Sequence, residues 1–118
     1  MDFTPTNLPV ETDFPKLVRD NIPDIIKAGG KQARTKIAEN DEEYLKYLLK
    51  KMVEEAVELK HSGQADNLKE ELADIFEIIY AILALQGWTI EQIIEVQKEK
   101  REKNGGFEKR ILMLNKPE

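Results

Sequence analysis

The chain has 118 residues, of which 41% are hydrophobic and 35% are charged, enough for one domain with its own core. Its 23 acidic and 18 basic residues give a formal charge of −5, which argues against nucleic-acid or membrane partners. Cysteine is absent and histidine occurs once, at His61, which excludes disulfide scaffolds, thiolate nucleophiles and zinc fingers. The longest apolar run, residues 78–85, is too short to span a membrane, and no secretory signal is visible. We therefore expect a cytoplasmic protein.

The N-terminal part of the chain predicts an arm followed by one domain. Residues 1–15 are rich in proline and have no hydrophobic period, which is typical of an extended arm. The domain then occupies residues 16–118. Its first element is a short helix within residues 16–28, which Asp20 or Asn21 can cap.

Two long helices are predicted next. Residues 31–38 are basic and weakly alternating, which favours a loop or a short extended segment before the first of them. The Asn40-x-x-Glu43 pattern resembles a capping box, and apolar residues recur after it at helical spacing as far as Gly63. The second long helix is predicted over residues 66–86.

A third long helix completes the predicted elements. The Thr89-x-x-Gln92 pattern caps it, and Gly105 ends it. The tail, residues 107–114, is apolar enough to dock as an extended segment. The pattern as a whole predicts an all-α helical bundle.

The second long helix also predicts a partner. Between residues 75 and 85 its apolar side chains point in every direction around the helix axis, with Glu77 the only charge. A helix that is apolar on every side must be covered on every side. The remaining helices of one chain are a thin cover, so we expect a homodimer or a higher homo-oligomer to complete the core.

Two acidic clusters lie beside this expected core. Their members are Glu54, Glu55, Glu58, Glu71, Asp74 and Glu77. Unpaired carboxylates next to a core are costly unless they are protonated, paired or bound to a metal ion. No Lys or Arg occurs between Lys69 and Lys98, so salt bridges to the second cluster must come from other segments.

The spacing of these carboxylates suits a divalent cation. Glu55 and Glu58 share one helix face at i, i+3, and Glu71 and Asp74 repeat this geometry on the next helix. If the two helices pack antiparallel, both pairs converge on one pocket, where Mg²⁺, or Mn²⁺ as a substitute, would find the oxygen ligands it prefers. The alternative is that both pairs are solvated faces of charged helices.

The two clusters, separated by twelve residues, resemble the signature of the MazG-like all-α nucleoside triphosphate pyrophosphohydrolases. The flanking strings Lys16–Pro23 (KLVRDNIP) and Lys103–Phe107 (KNGGF) resemble a small, phosphoribosyl-ATP pyrophosphohydrolase-like branch of that superfamily. The likeness covers residues 16–114. One departure is Ile78, where many MazG proteins carry asparagine.

This resemblance implies a MazG-like fold, a dimer, and release of a nucleoside monophosphate and pyrophosphate. It also implies that Glu55, Glu58, Glu71 and Asp74 are Mg²⁺ ligands. Without cysteine, water activated by metal is the natural attacking group. Glu54, or a free oxygen of a ligand such as Glu55, would orient this water as base, and the alternative for Glu54 is a solvated carboxylate.

Other polar residues have more than one interpretation. Glu77 is either a ligand of a second metal ion, or a support behind the first, or one half of a buried salt bridge. Phosphate charge also needs positively charged or N–H groups, for which the candidates are Lys16, Arg19, Lys100, Lys103 and Asn104. For each of these, the alternative is ordinary surface polarity.

The sequence therefore predicts a Mg²⁺-dependent nucleotide pyrophosphohydrolase that cleaves between the α and β phosphates. Clearance of non-standard or excess nucleotides, a house-cleaning role, is the expected use. The first alternative is phosphoribosyl-ATP hydrolysis in histidine biosynthesis. The second is a non-enzymatic helical interaction module, in which the acidic clusters serve only solubility.

Overall fold

The computed structural model describes residues 14–63 and 65–117. These residues form four helices and no strand, and the helices are α1 (Ile22–Ala28), α2 (Asp41–His61), α3 (Ala65–Gln86) and α4 (Ile90–Asn104). The predicted all-α fold is confirmed. The predicted N-terminal arm, except for its last two residues, lies outside the described part of the chain.

Local hydrogen bonds explain where two of the helices begin. The Asn40 side chain accepts a hydrogen bond from the Glu43 N–H at 2.8 Å and so caps α2. At α4, Thr89 and Gln92 form a complete capping box, in which each side chain accepts from the backbone N–H of the other residue. Both start signals can therefore be read from the sequence.

The first turn of α1 is different from the prediction. Asn21 is the N-cap residue, but its side chain makes no capping hydrogen bond. The Ile22 N–H instead donates to the backbone carbonyl of Arg19 at 3.0 Å, in a turn that precedes the helix. Pro23 in the first turn has no N–H to satisfy, which reduces the need for a side-chain cap.

The body of the molecule is a hairpin of α2 and α3. Only three residues separate these helices, so they run antiparallel and pack along their length. Leu48 from α2 and Ile78 and Leu83 from α3 are the buried apolar side chains of the described residues. The other helices contact this hairpin sparsely, so the core of a single chain is small.

The chain is also elongated. Its radius of gyration is 17.7 Å and its extents are 55 × 32 × 29 Å, whereas a compact domain of this length has a radius of about 13–14 Å. Large apolar side chains stay exposed along α3 at every fourth position, and these are Leu68, Leu72, Phe76 and Tyr80, 40–53% exposed. The described part of a single chain therefore leaves much of α3 uncovered, although a helix that is apolar on every side needs cover on every side. Dimerisation itself remains a prediction.

The two segments predicted to be extended do not pair as strands. Residues 31–38 have no regular secondary structure. The tail begins with a turn, in which the Arg110 N–H donates to the Phe107 carbonyl at 3.0 Å. The side chains of Phe107 and of residues 111–114 are 73–96% exposed, so these side chains stay largely uncovered by the part of the chain that the structure describes.

Among the described residues, no single helix is long and apolar enough to cross a membrane. Helices α3 and α4 reach that length and composition only together, as a pair bent by 109° at the break between them.

Candidate active site

Adjacent carboxylates on α2 lie in different surroundings. Glu54 and Glu55 are each only 5% exposed, whereas Glu58, one turn later, is exposed. The interpretation of Glu54 as a solvated carboxylate is therefore wrong. Periodicity places Glu54 away from the apolar stripe of α2, but the segment before α1 covers this face, since the Lys16 Nζ lies 3.6 Å from the Glu54 Oε1.

The hairpin brings both acidic clusters together at Glu55. One oxygen each of Glu55, Glu71 and Asp74 lie within 4.8 Å of one another, and the same is true of Glu54, Glu55 and Glu58. Glu55 belongs to both groups because it lies on the side of α2 that faces α3. Of the four residues expected as metal ligands, Glu58, Glu71 and Asp74 thus each lie in a group with the fourth, Glu55.

Three oxygens in this cluster have no hydrogen-bond donor among the described residues. They are the Oε2 atoms of Glu54, Glu55 and Glu71, and each is fully buried. Buried polar atoms are almost always satisfied in folded proteins, so three exceptions in neighbouring carboxylates need an explanation. A hard divalent cation such as Mg²⁺ fits, because it prefers oxygen ligands and supplies the missing positive charge.

The pKa of Glu55 also reflects the burial of these carboxylates. It is raised from 4.5 to about 8, first because burial removes water from the charged form. A hydrogen bond with the Glu71 side chain and the nearby charges of Glu58 and Asp74 raise it further, and the Lys51 charge opposes them. Without a metal ion, this raised pKa favours the protonated form of Glu55 at neutral pH.

Lys51 is a site residue that the sequence reasoning missed. Its Nζ lies 3.5 Å from the Glu54 Oε1 and 3.7 Å from the Glu55 Oε1, and its side chain is 21% exposed. The signal was present in the sequence, because Lys51 precedes Glu54 by three residues and Glu55 by four. Residues at these spacings share one helix face. Lys51 thus partly neutralises the two buried carboxylates.

Two of the expected phosphate-binding residues lie at the acidic cluster. Besides Lys16 at Glu54, the Arg19 guanidinium lies 2.6 Å from the Asp74 Oδ1 and 3.8 Å from the Glu77 Oε1. The expectation that α3 finds its positive partners in another segment is confirmed. The Glu77 side chain is 64% exposed, so its salt bridge is a surface contact and not the buried one anticipated. Glu77 belongs to neither carboxylate group.

The other expected phosphate-binding residues lie elsewhere. Lys100 and Asn104, on the last turns of α4, line a groove of about 520 Å³ together with Gly105, Gly106 and Phe107. Lys103 is on the same turns. Among the described residues, none of the three makes a hydrogen bond or an ion pair with the acidic cluster. A single chain therefore does not bring α4 to this site.

Comparison with known protein families agrees with the geometry. Residues 24–101 match the family model described as phosphoribosyl-ATP pyrophosphohydrolase, which is about two thirds of the chain. The chain belongs to this family. Comparisons with curated proteins and with solved structures gave no match.

Family membership settles the class of activity. Phosphoribosyl-ATP pyrophosphohydrolases are hydrolases that act on phosphoric anhydride bonds, so the chain is a nucleotide pyrophosphohydrolase and not a non-enzymatic interaction module. The matched residues include the whole acidic cluster and Lys51. They exclude Lys16 and Arg19 at one end and Lys103 and Asn104 at the other.

Proposed function

We propose that this protein is a Mg²⁺-dependent pyrophosphohydrolase that cleaves a nucleotide between its α and β phosphates. The observation that carries this proposal is a pair of carboxylate groups that share Glu55 and hold three buried oxygens with no donor among the described residues, in a member of a pyrophosphohydrolase family. Glu55, Glu58, Glu71 and Asp74 would hold the ion, and Mn²⁺ would substitute for it. When bound, the ion would neutralise phosphate charge and make water a better nucleophile.

Glu54 is our candidate for the base that takes the proton of the attacking water. Its Oε1 is held by Lys16 and Lys51, while its Oε2 is buried and receives no hydrogen bond from any residue that the structure describes. One oxygen is thus fixed by charge, and the other remains able to accept a proton. In the reaction, water forms a new P–O bond, the anhydride P–O bond breaks, and the products are a nucleoside monophosphate and pyrophosphate.

Lys16 and Arg19 are proposed to bind the phosphates. They lie three residues apart on the segment that crosses the acidic cluster, and each already contacts at least one of its carboxylates. Substrate phosphates bound beside the cluster would lie within reach of both side chains. Arginine in particular can donate two parallel hydrogen bonds to a phosphate.

We further propose that a second copy of the chain covers the exposed face of α3. The line of apolar side chains from Leu68 to Tyr80 and the elongated shape of the single chain support this. Lys100, Lys103 and Asn104 would then reach a substrate only from the partner copy. Glu77 would sit beside Arg19 as a support for the ligands and not as a ligand itself.

The test of the function is a substrate panel with and without Mg²⁺. Nucleoside triphosphates, their deoxy forms and phosphoribosyl-ATP are incubated with the enzyme, and pyrophosphate is scored against orthophosphate. Pyrophosphate as the primary product, dependent on Mg²⁺, is the expected result. Orthophosphate as the sole primary product would contradict the proposed cleavage site.

The same panel separates the two candidate substrates. We propose nucleoside triphosphates in a house-cleaning role, because the acidic cluster and its cations recognise phosphate and metal without reference to a base. The description of the matched family favours phosphoribosyl-ATP as a second candidate. A kcat/KM for phosphoribosyl-ATP well above that for every triphosphate would decide for histidine biosynthesis.

A further inference from the structure

Arg19 contacts a carboxylate that the proposed metal site needs. Its guanidinium is hydrogen-bonded to the Asp74 Oδ1 at 2.6 Å, and Asp74 is one of the three residues grouped around Glu55. The bond joins residues that are 55 positions apart in the sequence. Arg19 also lies outside the residues that match the family model, so family membership says nothing about its role.

A bound dication changes the electrostatics of this contact. An ion held by Asp74 would share that carboxylate with the guanidinium, and two positive groups on one carboxylate repel each other. The Arg19 side chain is 55% exposed, so it can swing away without opening the core. The Lys16 contact differs, because its partner Glu54 is buried and Lys16 itself is only 29% exposed.

We infer that Arg19 exchanges partners during the catalytic cycle, from Asp74 in the metal-free enzyme to a substrate phosphate once the ion is bound. This inference rests on the proposed function and adds to it a coupling between metal binding and substrate binding. In the resting state Arg19 acts as a stand-in cation that competes with the metal ion. In the loaded state the same guanidinium binds the phosphates, so metal and substrate each favour the binding of the other.

The exchange predicts that loss of the Arg19 charge changes the affinities for Mn²⁺ and for manganese pyrophosphate in opposite directions. Loss of the Arg19 charge removes a competitor, so metal should bind more tightly, by roughly two- to fivefold for an exposed ion pair of this kind. The same loss removes a charge-assisted hydrogen bond to phosphate, so manganese pyrophosphate should bind about tenfold or more weakly.

The experiment compares Arg19→Gln with the wild-type enzyme. Mn²⁺ affinity is measured without phosphate by electron paramagnetic resonance, and binding of manganese pyrophosphate is measured by calorimetry at saturating Mn²⁺. Pyrophosphate is used because it needs no knowledge of the base. Arg34→Gln is the matched control for net charge, because Arg34 is exposed and has no ion pair among the described residues. Arg19→Lys keeps the charge but loses the two-pronged geometry, and it should lie between wild type and Arg19→Gln in both measurements.

Tighter Mn²⁺ binding together with weaker manganese pyrophosphate binding, neither seen in Arg34→Gln, supports the exchange. Weaker binding of both ligands would show that Arg19 has a structural role and would overturn the exchange. A change in one ligand alone also overturns it, because Arg19 would then be only a competitor or only a phosphate ligand. If the wild-type enzyme binds no Mn²⁺, the proposed function itself fails, and the exchange fails with it.

Discussion

The Lys51 ammonium lies 3.7 Å from the carboxylate of Glu55, one helical turn away and largely out of solvent. Lys51 therefore places a positive charge permanently beside the residue on which the acidic cluster converges. This charge is insufficient to keep Glu55 ionised, since the pKa of Glu55 is still raised to about 8. The site is built with less positive charge than its carboxylates require, which is the condition under which a dication binds well.

Replacement of Lys51 tests this balance. Lys51→Met should lower the free energy of unfolding of the metal-free protein by about 1–3 kcal/mol, because Glu54 and Glu55 lose their nearest cation. Added Mg²⁺ should recover more stability in the variant than in the wild type, since the ion replaces the missing charge. Urea denaturation with EDTA or Mg²⁺ measures both effects. Lys46→Met, on an exposed position of the same helix, is the control, and equal losses in the two variants would contradict the prediction.

Glu55→Gln tests the centre of the site. The amide has nearly the same shape but lacks the negative charge, so we expect kcat/KM to fall about 100-fold or more, the scale on which single groups stabilise transition-state charge. Mn²⁺ affinity should fall as well, while helical content stays unchanged. Glu70→Gln, exposed on α3 one residue before Glu71, is the matched control and should retain full activity. Normal Mn²⁺ binding by Glu55→Gln would remove Glu55 from the ligand set.

The raised pKa of Glu55 predicts how stability depends on pH without metal. A carboxyl whose pKa is higher in the folded than in the unfolded state binds more protons when folded. The stability that Glu55 contributes to the folded state is fully present below about pH 4.5 and is lost as the pH rises toward about 8. Unfolding is measured in EDTA at several pH values across this range. Relative to Glu55→Gln, the wild type should lose unfolding free energy of order a few kcal/mol as the pH rises. Parallel curves for the two proteins would show that Glu55 does not titrate this way.

Metal binding should release a proton for the same reason. The ion needs the ionised carboxylate, so Mg²⁺ affinity should rise by up to about tenfold per pH unit between pH 6 and 8 and level off above that. Calorimetric titrations in buffers of different ionisation enthalpy count the protons released. At pH 6.5 we expect close to one proton per ion, and at pH 9.5 close to none. A count that does not change with pH would contradict the assignment.

One charged substitution tests whether the exposed face of α3 forms the proposed dimer interface. Phe76 is 53% exposed in the single chain and lies in the middle of the apolar line. Phe76→Glu should dissociate the proposed dimer, because a carboxylate buried at an interface without a partner is costly. Sedimentation equilibrium measures this. Ile37→Glu, at a position 89% exposed and outside the helices, should leave the assembly intact. A wild-type protein that is monomeric at micromolar concentration would refute the dimer.

Several features of this protein follow from the sequence alone, because neighbours along the chain determine them. The caps at Asn40 and Thr89 depend on residues three positions away, so the starts of α2 and α4 can be read directly. The spacing of Glu55 with Glu58 and of Glu71 with Asp74 likewise follows from the helical repeat. The start of α1 was less predictable, since a backbone turn from Arg19 replaces the expected side-chain cap.

Tertiary packing alone decided which carboxylates are buried and what they meet. Glu54 and Glu58 are both outside the apolar stripe of α2, yet Glu54 is buried, because the segment before α1 folds over it. Arg19 reaches Asp74 across 55 residues of sequence, a contact that no helical period encodes. A carboxylate's environment is the sum of every segment packed against it, so its pKa, its partners and its access to a metal ion are fixed only when those segments come together.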